Sequence, residues 1–224
     1  MNKLALQLIH ENQRTQNPFL DLGNCGLTEL PEELFECTWL LALNLGFGYY
    51  DEQSRRWVVS ENQDSENSFD GKKTNLSGLE RLTTLQTLDL SSNQITDYSF
   101  LASLTRLQAL DLSNNQITDI SFLSSLTTLQ TLDLSYNQIT DISFLASLTT
   151  LQTLNLRGNK ITDISFLAGL TTLQTLDLSS NQITDISFLA SLTRLQALDL
   201  SYNQITDISF LASLNLLHLT GDFF

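Results

Sequence analysis

The sequence predicts an α/β solenoid: a short coil repeated along the chain, with strands lining a concave parallel sheet and 3₁₀ or short helical turns on the convex side. Three observations carry this reading. Leu85, Leu107, Leu129, Leu151, Leu173 and Leu195 lie 22 residues apart, and the text between them nearly copies itself. Within each unit two leucines flank a polar residue, as in Leu132-Asp133-Leu134, the alternation of a strand with one buried face. Shortly after each strand an asparagine stands where the chain must turn: Asn93, Asn115, Asn137, Asn159, Asn181 and Asn203.

The chemistry of one coil follows from these residues. A turn buried between coils leaves backbone N–H and C=O groups unpaired at about 1–3 kcal/mol each. An amide side chain carries donors and an acceptor together, so the asparagines are expected to form a structural ladder that satisfies the turns above and below. Ile139 then points inward. The stretch Asp141 to Leu148 begins with a good capping residue and has apolar residues three and four apart, which fits a 3₁₀ or single-turn helix on the outer side. The column Asp97, Asp119, Asp141, Asp163, Asp185 and Asp207 is read as turn capping. A strand inside and a bulkier turn outside bend such a stack into an arc.

The pattern Leu-x-x-Leu-x-Leu-x-x-Asn-x-Ile, met in six consecutive units, resembles the leucine-rich repeat family. It is similar to the 22-residue form of bacterial internalin-like proteins and of the repeat arrays of bacterial Roco proteins. The resemblance covers residues 20–220. It implies a right-handed arc, protein binding on the concave side and no intrinsic enzyme activity.

Bulk properties narrow the function classes. The 42 % hydrophobic content is too high for a disordered chain. A net charge of −14 speaks against nucleic acid and against an anionic membrane surface, both of which need clustered Lys and Arg. No apolar run approaches the ~18 residues of a membrane span. The N-terminal decapeptide is interrupted by Gln7 and His10 and lacks a small-residue cleavage site, so no signal peptide and a cytoplasmic location are expected. Cys25 and Cys37 have no His or Cys companions at metal-ligand spacing and are read as reduced thiols, with a disulfide as the alternative.

The ends depart from the repeat. Residues 1–18 are expected to hold a capping helix, amphipathic over 3–16 with Leu4, Leu6, Leu8 and Ile9 on one side and ended by Pro18. Residues 19–224 form the repeat domain, with an inserted hairpin or loop at about 49–74. Its first repeat is diverged, with Cys25 at the asparagine position as a buried small hydrophobe. In the second, Gly48 is expected at the asparagine position and Asn75 where Asp97 stands in the next unit. That step of 75 − 48 = 27 replaces the regular 97 − 93 = 4, an insertion of 23 residues. Aromatic and β-branched residues around Asp51–Ser54 suggest a small hairpin, and the polar remainder a mobile loop. At the far end Leu217 is expected in the place of Leu198, with a last strand at 217–219. Eight further strands begin at residues 20, 43, 88, 110, 132, 154, 176 and 198.

The solvent side of the strands is the expected partner-binding face. One column is acidic: Asp89, Asp111, Asp133, Asn155, Asp177 and Asp199. Like charges across a ladder destabilise, so a stack that keeps five of them suits a partner with a basic or mixed-charge surface. A neighbouring column holds Tyr136 and Tyr202, a residue type enriched at interface hot spots. The unit Asn155 to Lys160 loses an acid and gains Arg157 and Lys160. Tyr49, Tyr50 and Trp57 are contact candidates in the insertion. His10 and His218 lie far apart in repeat order, and no catalytic arrangement, metal site or cofactor site is indicated. The expected function is therefore a non-catalytic scaffold that binds another protein. The alternative is the regulatory repeat arm of a Roco-type GTPase, and a third reading is a secreted internalin-like adhesin.

Overall fold

The computed structural model describes residues 3–51, 56–62, 64–69, 76–209, 211, 214 and 216–221, with the side chains of 49–51, 56 and 57 outside that description. The chain divides into two compact units, Met1–Gln116 and Ile117–Phe224.

The first unit opens with helix α1, Lys3–Thr15, which lays Ala5, Ile9 and Asn12 against the strand β1, Phe19–Asp21, and the 3₁₀ turn Glu32–Glu36. Asn12, polar and buried, ties the helix end to the first coil. Its Nδ2 donates to the carbonyls of Asn17 and Phe19, and its Oδ1 accepts from Trp39 Nε1 at 2.9 Å. Four parallel strands follow in chain order: β1, β2 (Ala42–Asn44), β5 (Thr87–Asp89) and β6 (Ala109–Asp111). Between β2 and β5 the chain forms an antiparallel hairpin, β3 (Gly48–Asp51) with β4 (Arg56–Val59).

The second unit contains β7 (Thr131–Asp133), β8 (Thr153–Asn155), β9 (Thr175–Asp177), β10 (Ala197–Asp199) and β11 (His218–Thr220), again in chain order. Register is in step with the repeat: Leu132 faces Leu154, Leu154 faces Leu176 and Leu176 faces Leu198. Strands β7 to β10 run one residue earlier than the leucine pattern suggests, since the second leucine of each pair is already in the turn. Across each coil from its strand lies a 3₁₀ turn, such as Ser143–Ser147 or Ser165–Gly169. The core between them is leucine and isoleucine, with Leu129, Leu132, Leu134, Ile139, Ile142, Leu145 and Leu148 of one coil all fully buried.

Asparagines join coil to coil. Asn159 Nδ2 donates to the carbonyls of Leu134, one coil back, and Leu156, its own strand, while its Oδ1 accepts from Ile139 N at 3.0 Å. Asn181 and Asn203 repeat the set with Leu156 and Leu178 one coil back. On the opposite corner Thr150 and Thr172 donate their hydroxyls to two carbonyls of the preceding coil, a second ladder that the sequence pattern does not announce.

Three details of the coil differ from the sequence expectation. First, Gly48 does not take the asparagine position of the second repeat. Asn67 does: its Nδ2 donates to the carbonyls of Leu22 and Leu45 and its Oδ1 accepts from Leu27 N. Phe69, fully buried, takes the isoleucine position, with its N–H on Asn93 Oδ1. The insertion is therefore split. Leu45 to Asn67 is 22 steps against 3 from Leu90 to Asn93, an excess of 19, and the remaining 4 of the 23 fall after Asn67.

Second, the described part of the limb after the hairpin is docked and not loose. Ser60 Oγ donates to Asp21, and Asn62 Nδ2 to the carbonyls of Asp21 and Gly23. Third, Leu219 and not Leu217 pairs with Leu198, and the last strand is 218–220. A shift of two residues keeps every side chain on the same face, so the leucine pattern alone does not separate the two registers. Leu217 stands where Gln196 stands one coil earlier and is 70 % exposed.

Capping by the outer aspartates also has its own geometry. Each Oδ1 accepts from the N–H two residues on, as Ser143 N to Asp141 and Ser187 N to Asp185, both 2.8 Å. The aspartate thus precedes the residue that opens the turn. These bonds hold the carboxyls of Asp97, Asp141, Asp185 and Asp207 below the ordinary carboxylate value.

Candidate interaction face on the strands

In the first unit the strand face is covered. Thr87 and Asp89 of β5 and Ala109 and Asp111 of β6 are buried. The hairpin strand β3 lies against β5, and the backbone of Gly46 approaches Asp89 so closely that a β-carbon there would overlap its Oδ1. Asp89 and Asp111 therefore offer little surface to a partner. The side chains of Tyr49, Tyr50 and Trp57 lie outside the described residues, although their backbones pair across the hairpin, Tyr50 opposite Trp57.

In the second unit the face is open. Asp133, Asn155, Asp177 and Asp199 stand in register on adjacent strands and are half-buried. Each uses its Oδ1 to close its own turn: Asp133 accepts from Ser135 N, Asn155 from Arg157 N, and Asp177 and Asp199 from the N–H and hydroxyl of Ser179 and Ser201. Asn155 separates acids that would otherwise be direct neighbours, and its Nδ2 donates to Asp133 Oδ2 at 2.9 Å. Burial pushes the Asp133 carboxyl up, opposed by the bonds from Ser135 and Asn155, while the charge of Asp177 adds to the rise.

The tyrosine column turns out to be the left-handed position of the turn in the six regular coils. Ser92, Asn114, Tyr136, Ser180 and Tyr202 have φ of 54–57°, and Gly158 has 67°. A bulky side chain there is uncommon. Tyr136 is 49 % exposed and braced: the Arg157 guanidinium lies over its ring at 5.6 Å, and Gly158 passes beneath. Tyr202 is 70 % exposed. Lys160 Nζ reaches Gln138 Oε1 at 3.4 Å on the neighbouring coil. The structure thus brings together Tyr136 with Arg157 and, separately, Asp133 with Asn155, with the charge of Asp177 acting on Asp133.

Among the described residues no group of three or more His, Cys, Asp or Glu could hold a metal ion, and no helix is long and apolar enough to cross a membrane. Cys25 and Cys37 are free and buried. Burial pushes their thiols up to about 12 and about 11, which keeps them protonated and unreactive.

These features define a repeat protein whose side chains serve stacking and surface display, and the comparisons agree. A sequence-family model described as Leucine Rich repeats (2 copies) matches residues 83–125, 127–169 and 171–219. Among solved structures, internalin C2 (inlC2) of Listeria monocytogenes shares 32 % identity, with a TM-score of 0.80 over 99 % of this chain and 93 % of that one. An internalin (inlF) of the same organism shares 35 % identity, with a TM-score of 0.72 over 88 % of this chain; here the chain spans about half of its relative, 51 %. No curated protein sequence matches the chain. The protein belongs to the leucine-rich repeat family and is internalin-like.

Proposed function

We propose that this protein is a non-catalytic scaffold that binds another protein on the strand face of its second unit. The observation that carries the reading is Tyr136, a large exposed side chain kept at a left-handed backbone position and braced by Arg157 and Gly158. The turn imposes this backbone angle on whatever residue stands there, and a bulky side chain in place of glycine or asparagine costs roughly 1–2 kcal/mol. Tyr202 stands at the same left-handed position three coils on, and Asp133, Asn155, Asp177 and Asp199 supply polar and acidic surface on the same strands' face. A rigid aromatic beside a half-buried polar rim is what a hot spot requires, and the acids favour a partner with basic or mixed charge. The free cysteines suit a reducing compartment, so the cytoplasm is part of the same reading. The two solved structures named above are internalins and the family model describes repeats alone, so the Roco-type alternative gains no support.

Crosslinking capture from native lysate tests this. The wild-type chain should capture a discrete partner that Tyr136→Ser/Tyr202→Ser loses, with the melting temperature of the variant within a few degrees of wild type. Capture at full yield by the double variant would overturn the assignment of this face.

A further inference from the structure

The opposite side of the second unit carries a separate feature. Phe144, Phe166 and Phe188 occupy the same place in three successive 3₁₀ turns, Ser143–Ser147, Ser165–Gly169 and Ser187–Ser191, and are 38 %, 39 % and 39 % exposed. Three residues before each ring stands an exposed aspartate, Asp141, Asp163 or Asp185. The hydroxyls around the rings are turned back on the backbone: Ser147 donates to Phe144 O, Ser191 to Phe188 O, and Thr150 and Thr172 to the preceding coil. What faces outward is a ladder of rings beside a ladder of carboxylates.

We infer that this outer face is a second docking surface, whose occupant is an amphipathic helix with one apolar and one basic stripe. Coils are spaced about 4.8 Å at the strands and more widely on the outer side of a curved stack, near the roughly 5.4 Å that a helix advances per turn. A helix lying along the stack therefore sets one apolar side chain against each ring, with anchors at i, i+3 or i+4, and i+7. Its Lys or Arg residues on the adjoining stripe meet the aspartates, which the turn hydrogen bonds keep ionised at Asp141 and Asp185. Charge decides against the same face of a second copy as the occupant, because two such faces brought together would oppose aspartate to aspartate, and the α-helix among the described residues, Lys3–Thr15, already lays its buried side on the first coil.

The test uses a labelled leucine–lysine helical peptide, its leucine–glutamate counterpart and a leucine–lysine peptide with scrambled periodicity, with binding read by fluorescence anisotropy. The helical leucine–lysine peptide should bind and the other two should not. Phe144→Ser/Phe166→Ser/Phe188→Ser should weaken binding about tenfold or more. Asp141→Asn/Asp163→Asn/Asp185→Asn keeps the Oδ1 that closes each turn, so its fold is retained. It should weaken binding about threefold and flatten the salt dependence, whereas Tyr136→Ser/Tyr202→Ser should leave affinity unchanged. Equal binding of the scrambled peptide, or undiminished affinity in either triple variant, would overturn the inference.

Discussion

At Gly158 the backbone is left-handed, and a β-carbon would stand 2.8 Å from Cδ1 of Tyr136. Ser180, in the next coil, holds nearly the same backbone angle. The comparison separates the angle from the contact when the β-carbon is added at one site and removed at the other. Gly158→Ala should cost about 1–3 kcal/mol in a urea melt, combining the left-handed penalty with displacement of the ring, while Ser180→Gly should return the left-handed part alone, a smaller change of opposite sign. Changes of equal size at the two sites would mean that the ring exerts no constraint. Tyr136, Arg157 and Gly158 stand out in the sequence as places where the repeat changes. Their stacking is not visible there, because it joins residues 21 and 22 positions apart through a turn angle that no spacing encodes. Asp133 shows the converse: as a letter it is one acid in a column, and only its burial and the Asn155 bond give it a raised carboxyl.

Among the elements, the insertion changed most between sequence and structure. Its length, 23 residues, and its hairpin are legible from the broken period and the aromatic runs. The part that returns to the solenoid is not, because Asn67 and Phe69 lie in polar, irregular text and only their partners identify them as ladder and core residues. Asn67→Ala should therefore destabilise as a true ladder substitution does. About 2–4 kcal/mol is expected, from two carbonyls and one N–H left unpaired, matched by Asn159→Ala in the second unit. A urea midpoint unmoved by Asn67→Ala, with Asn159→Ala destabilised, would mean that this limb is loose in solution. The cap helix has a similar lesson. Its amphipathic pattern marks it as a helix, yet the residue that fastens it is the polar Asn12, through Asn17, Phe19 and Trp39.

For the molecule as a whole, repeat proteins hold together through nearest neighbours, so stability varies along the stack. The leucines of β7 to β10 are all but sealed, Leu154 at 0 % and Leu198 at 2 %, whereas in β11 the inward Leu219 is 44 % exposed and its neighbours are exposed too. Hydrogen exchange should therefore release the amides of 217–220 first, with those of Leu132, Leu154 and Leu176 among the slowest. Uniform protection from β7 to β11 would contradict a nearest-neighbour stack. The sequence by itself determined the architecture, because a solenoid's contacts join equivalent positions of successive coils and a 22-residue period states those positions directly. It likewise determined the asparagine places of the six regular coils, though not that of Asn67, and the acidic and tyrosine columns. Tertiary structure alone decided which parts of those columns reach solvent, with the hairpin over β5, the buried Asp89 and Asp111, and the open face in the second unit. The reason is physical: a period specifies which residues stack, but exposure depends on what non-repeating segments fold across them.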